Sequence, residues 1–151
     1  MIRDDIKAAQ LAAMKAGDKP RTAATRLIMS AVKNREIELR GSANAPDDDV
    51  MITEVLQKMI KQRRESIGMY EQGGRQELAD AEAAEVAVIE EFLPKQMSAD
   101  ETRAAIDSIA AELGASSLKD MGRLMAALKE RHAGGLDMSK ASALVKARLS
   151  A

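Results

Sequence analysis

Short breakers cut this chain into blocks in which apolar residues recur every three or four positions, a pattern that admits little besides packed helices. The first block, Ile2 to Ala16, carries Ile2, Ile6, Leu11 and Met14 as its apolar stripe and ends at Gly17-Asp18-Lys19-Pro20. Glycine suits a left-handed cap, and proline is better placed at the start of a helix than inside one. A second helix is predicted from Pro20 to about Arg40, with Leu27/Ile28, Ala31/Val32, Ile37 and Leu39 at helical spacing. After a loop from Gly41 to Pro46, one of Asp47, Asp48 and Asp49 is expected to cap a third helix that reaches Gln72. Gly73-Gly74 breaks it, and a fourth helix follows from Arg75 to Leu93.

Residues 94 to 97 read as a linker. Ser98 and Glu101 then form a capping box, and a fifth helix runs to Leu113 and stops at Gly114. A sixth opens at Ser117 to Asp120 and continues to about His132; a seventh starts near Asp137 or Ser139 and runs to the C-terminus. The apolar residues agree with this layout. They make up 46% of the chain but include one Phe, one Tyr and no Trp, with Ala, Leu, Ile and Met in the majority. Those are helix formers, whereas sheets favour aromatic and β-branched residues. The expectation is an all-α protein: a bundle of about four helices over residues 1–94 and a small three-helix unit over 95–151, the latter small enough to lean on the first for stability.

Several chemistries are excluded or disfavoured. The chain has no cysteine, so disulfides and thiolate metal sites are absent, and a single histidine, His132, makes a histidine metal site or triad a poor reading. No apolar run approaches the ~20 residues of a membrane span. The charged start MIRDDIKAAQ lacks a signal-peptide apolar region. A soluble, cytoplasmic protein is expected, without metal, cofactor or catalytic residues.

The most distinctive lettering lies between Lys58 and Pro94. Lys58, Lys61, Arg63 and Arg64 share one helix, and the next carries six carboxylates (Glu77, Asp80, Glu82, Glu85, Glu90, Glu91) against Arg75. The basic cluster can be a solvated face laced by pairs such as Glu54–Lys58 and Lys61–Glu65, or a surface for phosphates. Two helices joined by so short a turn run roughly antiparallel, so the block containing Lys58, Lys61, Glu65, Glu82 and Glu85 is expected to match its charges internally. Arg63, nearer the apolar side, is expected to pack with its stem.

Charge is distributed unevenly. The whole chain has a net charge of −1, but residues 117–151 carry seven basic against three acidic side chains. Within them Gly134-Gly135 precedes the last helix, where exposed amides at a positively polarised N-terminus can hold an anion; the alternative is a plain cap and turn. Arg123, Lys129, Arg131, Lys140 and Lys146 surround it in sequence.

These residues bring a resemblance into view. The chain resembles the GatB/YqeY family along nearly its whole length, and particularly its free-standing YqeY-like members. The resemblance rests on Arg26-Leu27-Ile28-Met29-Ser30-Ala31-Val32-Lys33 with Glu36-Ile37-Glu38, then Lys58-x-x-Lys61-Gln62-Arg63-x-Glu65-Ser66. It continues through Gly74-Arg75-x-Glu77-Leu78, Glu82, Glu85 and Phe92-Leu93-Pro94 to Asp120-Met121-Gly122-Arg123-Leu124-Met125 and the turn at Gly134 to Asp137. It implies a larger helical bundle followed by a three-helix unit similar to the tail of GatB, which helps hold tRNA in a glutamyl- or aspartyl-tRNA amidotransferase. The catalytic part of that enzyme precedes the tail, so a carbon–nitrogen ligase label with glutamine as amido donor would be association only. A non-catalytic tRNA-associated module is therefore expected, with Arg123, Lys129, Arg131, Gly134, Gly135, Lys140 and Lys146 in contact with RNA. The alternative is a protein-interaction module docking on a translation or tRNA-modifying assembly. The family often has a basic residue where this chain has Gly135, which implies one phosphate contact fewer.

Overall fold

A computed structural model describes residues 1–132 and 134–150. They form seven α-helices: α1 (Ile2–Ala16), α2 (Lys19–Leu39), α3 (Asp48–Gln72), α4 (Gln76–Phe92), α5 (Ala99–Leu113), α6 (Met121–His132) and α7 (Met138–Ser150). The described residues contain no strand. The chain divides into two compact units, Met1–Leu93 and a second from Pro94 onwards.

In the first unit the α1–α2 and α3–α4 hairpins pack together. The turn between α1 and α2 takes two residues. Gly17 adopts a left-handed φ of 70°, letting its own amide and that of Asp18 bond back to Met14 and Ala13. Asp18 Oδ1 accepts from the Arg21 amide at 3.1 Å and so caps α2. Ile6, Ile28, Val32, Ile52, Leu56 and Ile89 close the core, each 1% exposed or less.

Part of the expected apolar stripe lies elsewhere. Leu11 and Met14 are 52% and 50% exposed, so α1 contributes the expected Ile6 together with Ala13. Leu27 and Ile37 of α2 likewise face outward while Ile28 and Val32 are buried. Helical period identifies an apolar stripe; the neighbouring helices decide how much of its width is covered.

One of three acids was expected to cap α3, and none does so through its side chain. Asp47 occupies the N-cap without a side-chain bond, and Asp48 and Asp49 turn to α1. Asp49 accepts the Ile2 amide at 3.1 Å, satisfying a donor at the start of α1 that has no partner within that helix. Arg3 binds Asp48 through Nε at 3.0 Å and a terminal nitrogen at 2.6 Å, and also contacts Glu36 on α2. One guanidinium thus joins three helices.

The second unit closes around Ile106, Leu124, Leu128, Ala141 and Val145, all fully buried or nearly so. Both halves of the Ser98–Glu101 capping box form, at 3.1 and 3.2 Å. Hydrogen bonding from the Ser98 amide, and then from its side chain, holds the Glu101 carboxyl below its ordinary range. The first turn after Ser117 is a 3-10 helix, Leu118–Asp120, and α6 begins at Met121. Across the molecule, three buried threonines satisfy their hydroxyls on the carbonyl one turn back: Thr25 to Arg21, Thr53 to Asp49 and Thr102 to Ser98.

Candidate nucleic-acid interface

Gly134 has a φ of 86°, a conformation that disfavours any side chain with a Cβ. Its carbonyl accepts from the Gln96 side chain at 2.7 Å, and the Gly135 carbonyl accepts from the Met97 amide at 2.7 Å. The Gly135 amide donates to the His132 carbonyl at 3.1 Å, while Leu136 plugs the core at 4% exposure. Residues read as a linker therefore belong to this unit, clipped to the double-glycine turn. Beyond it, Asp137 Oδ1 accepts from the amides of Ser139 and Lys140 at 2.9 and 3.3 Å. A carboxylate already stands at the positive pole of α7, and the Gly135 amide faces its own chain. Of the two alternatives, this is the cap and turn rather than an open anion cradle.

The cations divide into two sorts. Arg131 reaches back to Glu112 of α5 at 2.6 Å, Arg123 pairs with Asp120 at 3.1 Å, and Arg148 pairs with Asp107 at 2.7 Å. Their mutual bond holds the Glu112 carboxyl low and the Arg131 guanidinium high. Asp120 is also held low, first by the amides of Ser116 and Ser117 and then by Arg123. Lys129, Lys140 and Lys146 are exposed and form no ion pair among the described residues. They do not line up: six residues separate Lys140 from Lys146, roughly 120° around α7. The surface offers scattered, exposed ammonium groups together with guanidiniums held by carboxylates.

The basic-then-acidic block in the first unit is matched internally, but through a different cation. Arg63, with a side chain 17% exposed, places Nε 2.8 Å from Glu85 and 3.8 Å from Glu82; Arg64 meets Glu90 at 2.7 Å. Lys58 and Glu65 are exposed and enter no ion pair among the described residues, so the Glu54–Lys58 pair is not formed; Lys61 is also exposed. The reason is position. Arg63 stands at the edge of the α3–α4 seam, where a planar fork can meet two carboxylates, and Lys58 points to solvent. Sequence reasoning assigned Arg63 a packing stem and had no signal for Arg3, whose partners are far along the chain.

The family model described as "Yqey-like protein" matches residues 3–149. The chain is 30% identical over 114 residues to "Altered inheritance of mitochondria protein 41, mitochondrial" of Eremothecium gossypii, covering 74% of this chain and 58% of that protein. The proteins of the same name in Kluyveromyces lactis and Saccharomyces cerevisiae are 31% and 29% identical, over 60% and 62% of this chain and 45% and 46% of theirs. The chain thus spans about half the length of the curated relatives it matches. Their names also correct the expectation of a cytoplasmic location, since the relatives are mitochondrial proteins. Cysteine usage and charge report redox chemistry and solubility, whereas an address is read by receptors.

Proposed function

This chain belongs to the YqeY-like protein family, and from that membership we propose that it is a non-catalytic, tRNA-associated helical module whose second unit makes the principal contact. The observation that carries the reading is the cationic segment 117–151, in which Lys129, Lys140 and Lys146 stand exposed without carboxylate partners among the described residues. Ammonium groups on flexible stems position a phosphate backbone without reading its sequence. Arg123 and Arg131 join them by exchanging a carboxylate for a phosphate, since exposed pairs in water hold their partners weakly. The Gly134–Gly135 turn supports this surface by fixing where α7 begins. No amidotransferase chemistry is proposed for these residues.

Titrating the full chain with labelled tRNA across a salt series tests the reading. Affinity should fall steeply as salt rises, and Arg131→Glu with Lys140→Glu should weaken binding and flatten the salt dependence by about two phosphate contacts. Binding unchanged in that double variant would remove the surface. A second reading, docking on a translation or tRNA-modifying protein assembly, is favoured by the scatter of these cations around the unit. It predicts that association with such an assembly survives nuclease treatment.

A further inference from the structure

Helix α2 has an outer face that the fold leaves unused. In the segment Arg26 to Lys33, Ile28 and Val32 are fully buried, whereas Leu27 is 46% exposed and, one stretch later, Ile37 is 47% exposed. Ala23, Leu27, Ser30, Asn34 and Ile37 follow at alternating steps of four and three, and all five are exposed. That spacing keeps them in a single seam, the geometry through which two helices pack side by side. Along one edge of the seam stand Lys19, Arg26, Lys33 and Arg40, seven residues apart and all exposed, with Arg40 at the C-cap. At ~1.5 Å per residue they are spaced roughly 10 Å apart.

Nothing in the described residues neutralises this edge. Among the described residues none of the four cations is ion-paired, and Arg26 and Arg40 are the arginines left outside ion pairs. The acids of α2 are committed elsewhere, Glu36 to Arg3 and Glu38 to Arg35. The helix dipole favours Arg40 at the C-cap but opposes Lys19 in the first turn, so it does not by itself account for the row.

We propose that the outer face of α2 docks an acidic amphipathic helix of another protein. The partner's apolar seam covers Leu27 and Ile37, and its carboxylates, one per heptad, meet Lys19, Arg26, Lys33 and Arg40. Ser30 and Asn34 in the seam set the register, as polar residues at such positions do at some cost in stability. A nucleic acid would use the cations but leave the apolar seam uncovered, whereas a helix with heptad-spaced acids satisfies both. This site is separate from the RNA reading, which rests on the second unit.

The probe is a labelled synthetic peptide of four heptads with leucine along its seam and glutamate on the flanking edges. Its twin carries lysine in place of each glutamate. On the full chain, fluorescence anisotropy should detect the acidic peptide and not the basic one. Arg26→Glu with Lys33→Glu should weaken the acidic peptide on the order of tenfold or more and admit the basic peptide. Leu27→Asp, and the milder Leu27→Ser, should also weaken it with helicity by circular dichroism unchanged. Lys140→Glu should leave it unaltered, which separates this result from the fate of the RNA reading. Equal binding of both peptides, or of neither, would overturn the proposal. So would sensitivity to charge reversal without sensitivity at Leu27 while polyuridylate competes, because the face would then be a polyanion surface.

Discussion

The two units solve the same problem, holding helices in register, with different emphasis on arginine pairs and helix caps. In the first, long helices are tied by guanidiniums that reach far along the chain: Arg3 to Asp48 and Glu36, Arg21 to Glu91, Arg63 to Glu85 and Arg64 to Glu90. In the second, guanidiniums also cross between helices, Arg131 to Glu112 and Arg148 to Asp107, and the shorter helices are fixed at their ends as well, by the Ser98–Glu101 box, by Asp120 and Asp137 on nearby amides, and by Gln96 and Met97 on the double-glycine turn. Long helices present edges on which a planar fork can bridge two or three elements. Short ones have a larger share of unsatisfied terminal groups, so caps carry more of the organisation.

The contrast is broken most severely by Leu128→Ala. Leu128 is fully buried in the small core, and its truncation should cost about 2–5 kcal/mol. Hydrogen exchange should then show protection lost across α5 to α7 while α3 and α4 keep theirs. Simultaneous loss in both would mean that the units unfold as one, and the distinction drawn here would fail.

Arg3→Ala probes the other side of the comparison, and should cost on the order of 1–3 kcal/mol because Asp48 and Glu36 lose a charge-assisted partner. It carries a pH signature. The hydrogen bond from Arg3 holds the Asp48 carboxyl below its ordinary value. Its contribution is therefore complete above the ordinary carboxylate range and is lost as pH falls through the lowered value. Denaturant midpoints should converge between wild type and Arg3→Ala as the solution is acidified. Parallel curves would show that the triad does not act through this ionisation. Arg3→Lys should restore only part of the loss, since an ammonium cannot reproduce the fork.

The smallest effect distinguishes neighbouring glycines. A Cβ on Gly135 would meet the carbonyls of His132 and Lys95 at 3.8 Å, which is ordinary contact. Gly135→Lys should therefore leave thermal stability nearly unchanged while tightening tRNA binding and steepening its salt dependence by about one contact. Gly134→Lys adds the same charge at a left-handed position and should lower stability by about 1 kcal/mol. Equal melting temperatures for the two variants would remove the conformational argument for the turn.

Helix positions were legible in the sequence because period, breakers and caps are local information; of the apolar pattern read on α2, Ile28 and Val32 are buried while Leu27 and Ile37 are not. Ser98 and Glu101 announced their box at a separation of three residues. The Asp48–Arg3 bond spans 45 residues and overrode an equally reasonable local role for Asp48 as a cap. The charged block between Lys58 and Pro94 was readable as internally matched, yet selecting Arg63 over Lys58 required knowing which edge of α3 meets α4. The cationic surface was readable as composition and not as shape, since its members occupy several faces of α6 and α7.

By itself, the sequence determined the helical class, the breaks and the excess of positive charge near the C-terminus, because each depends on residues a few positions apart. Only the tertiary structure decided which carboxylate each guanidinium holds, which apolar residues stay uncovered, and that the Gly135 amide at the double-glycine turn is bonded within its own chain. Those outcomes depend on which surfaces approach one another, and burial and hydrogen bonding are settled by that approach rather than by the local pattern.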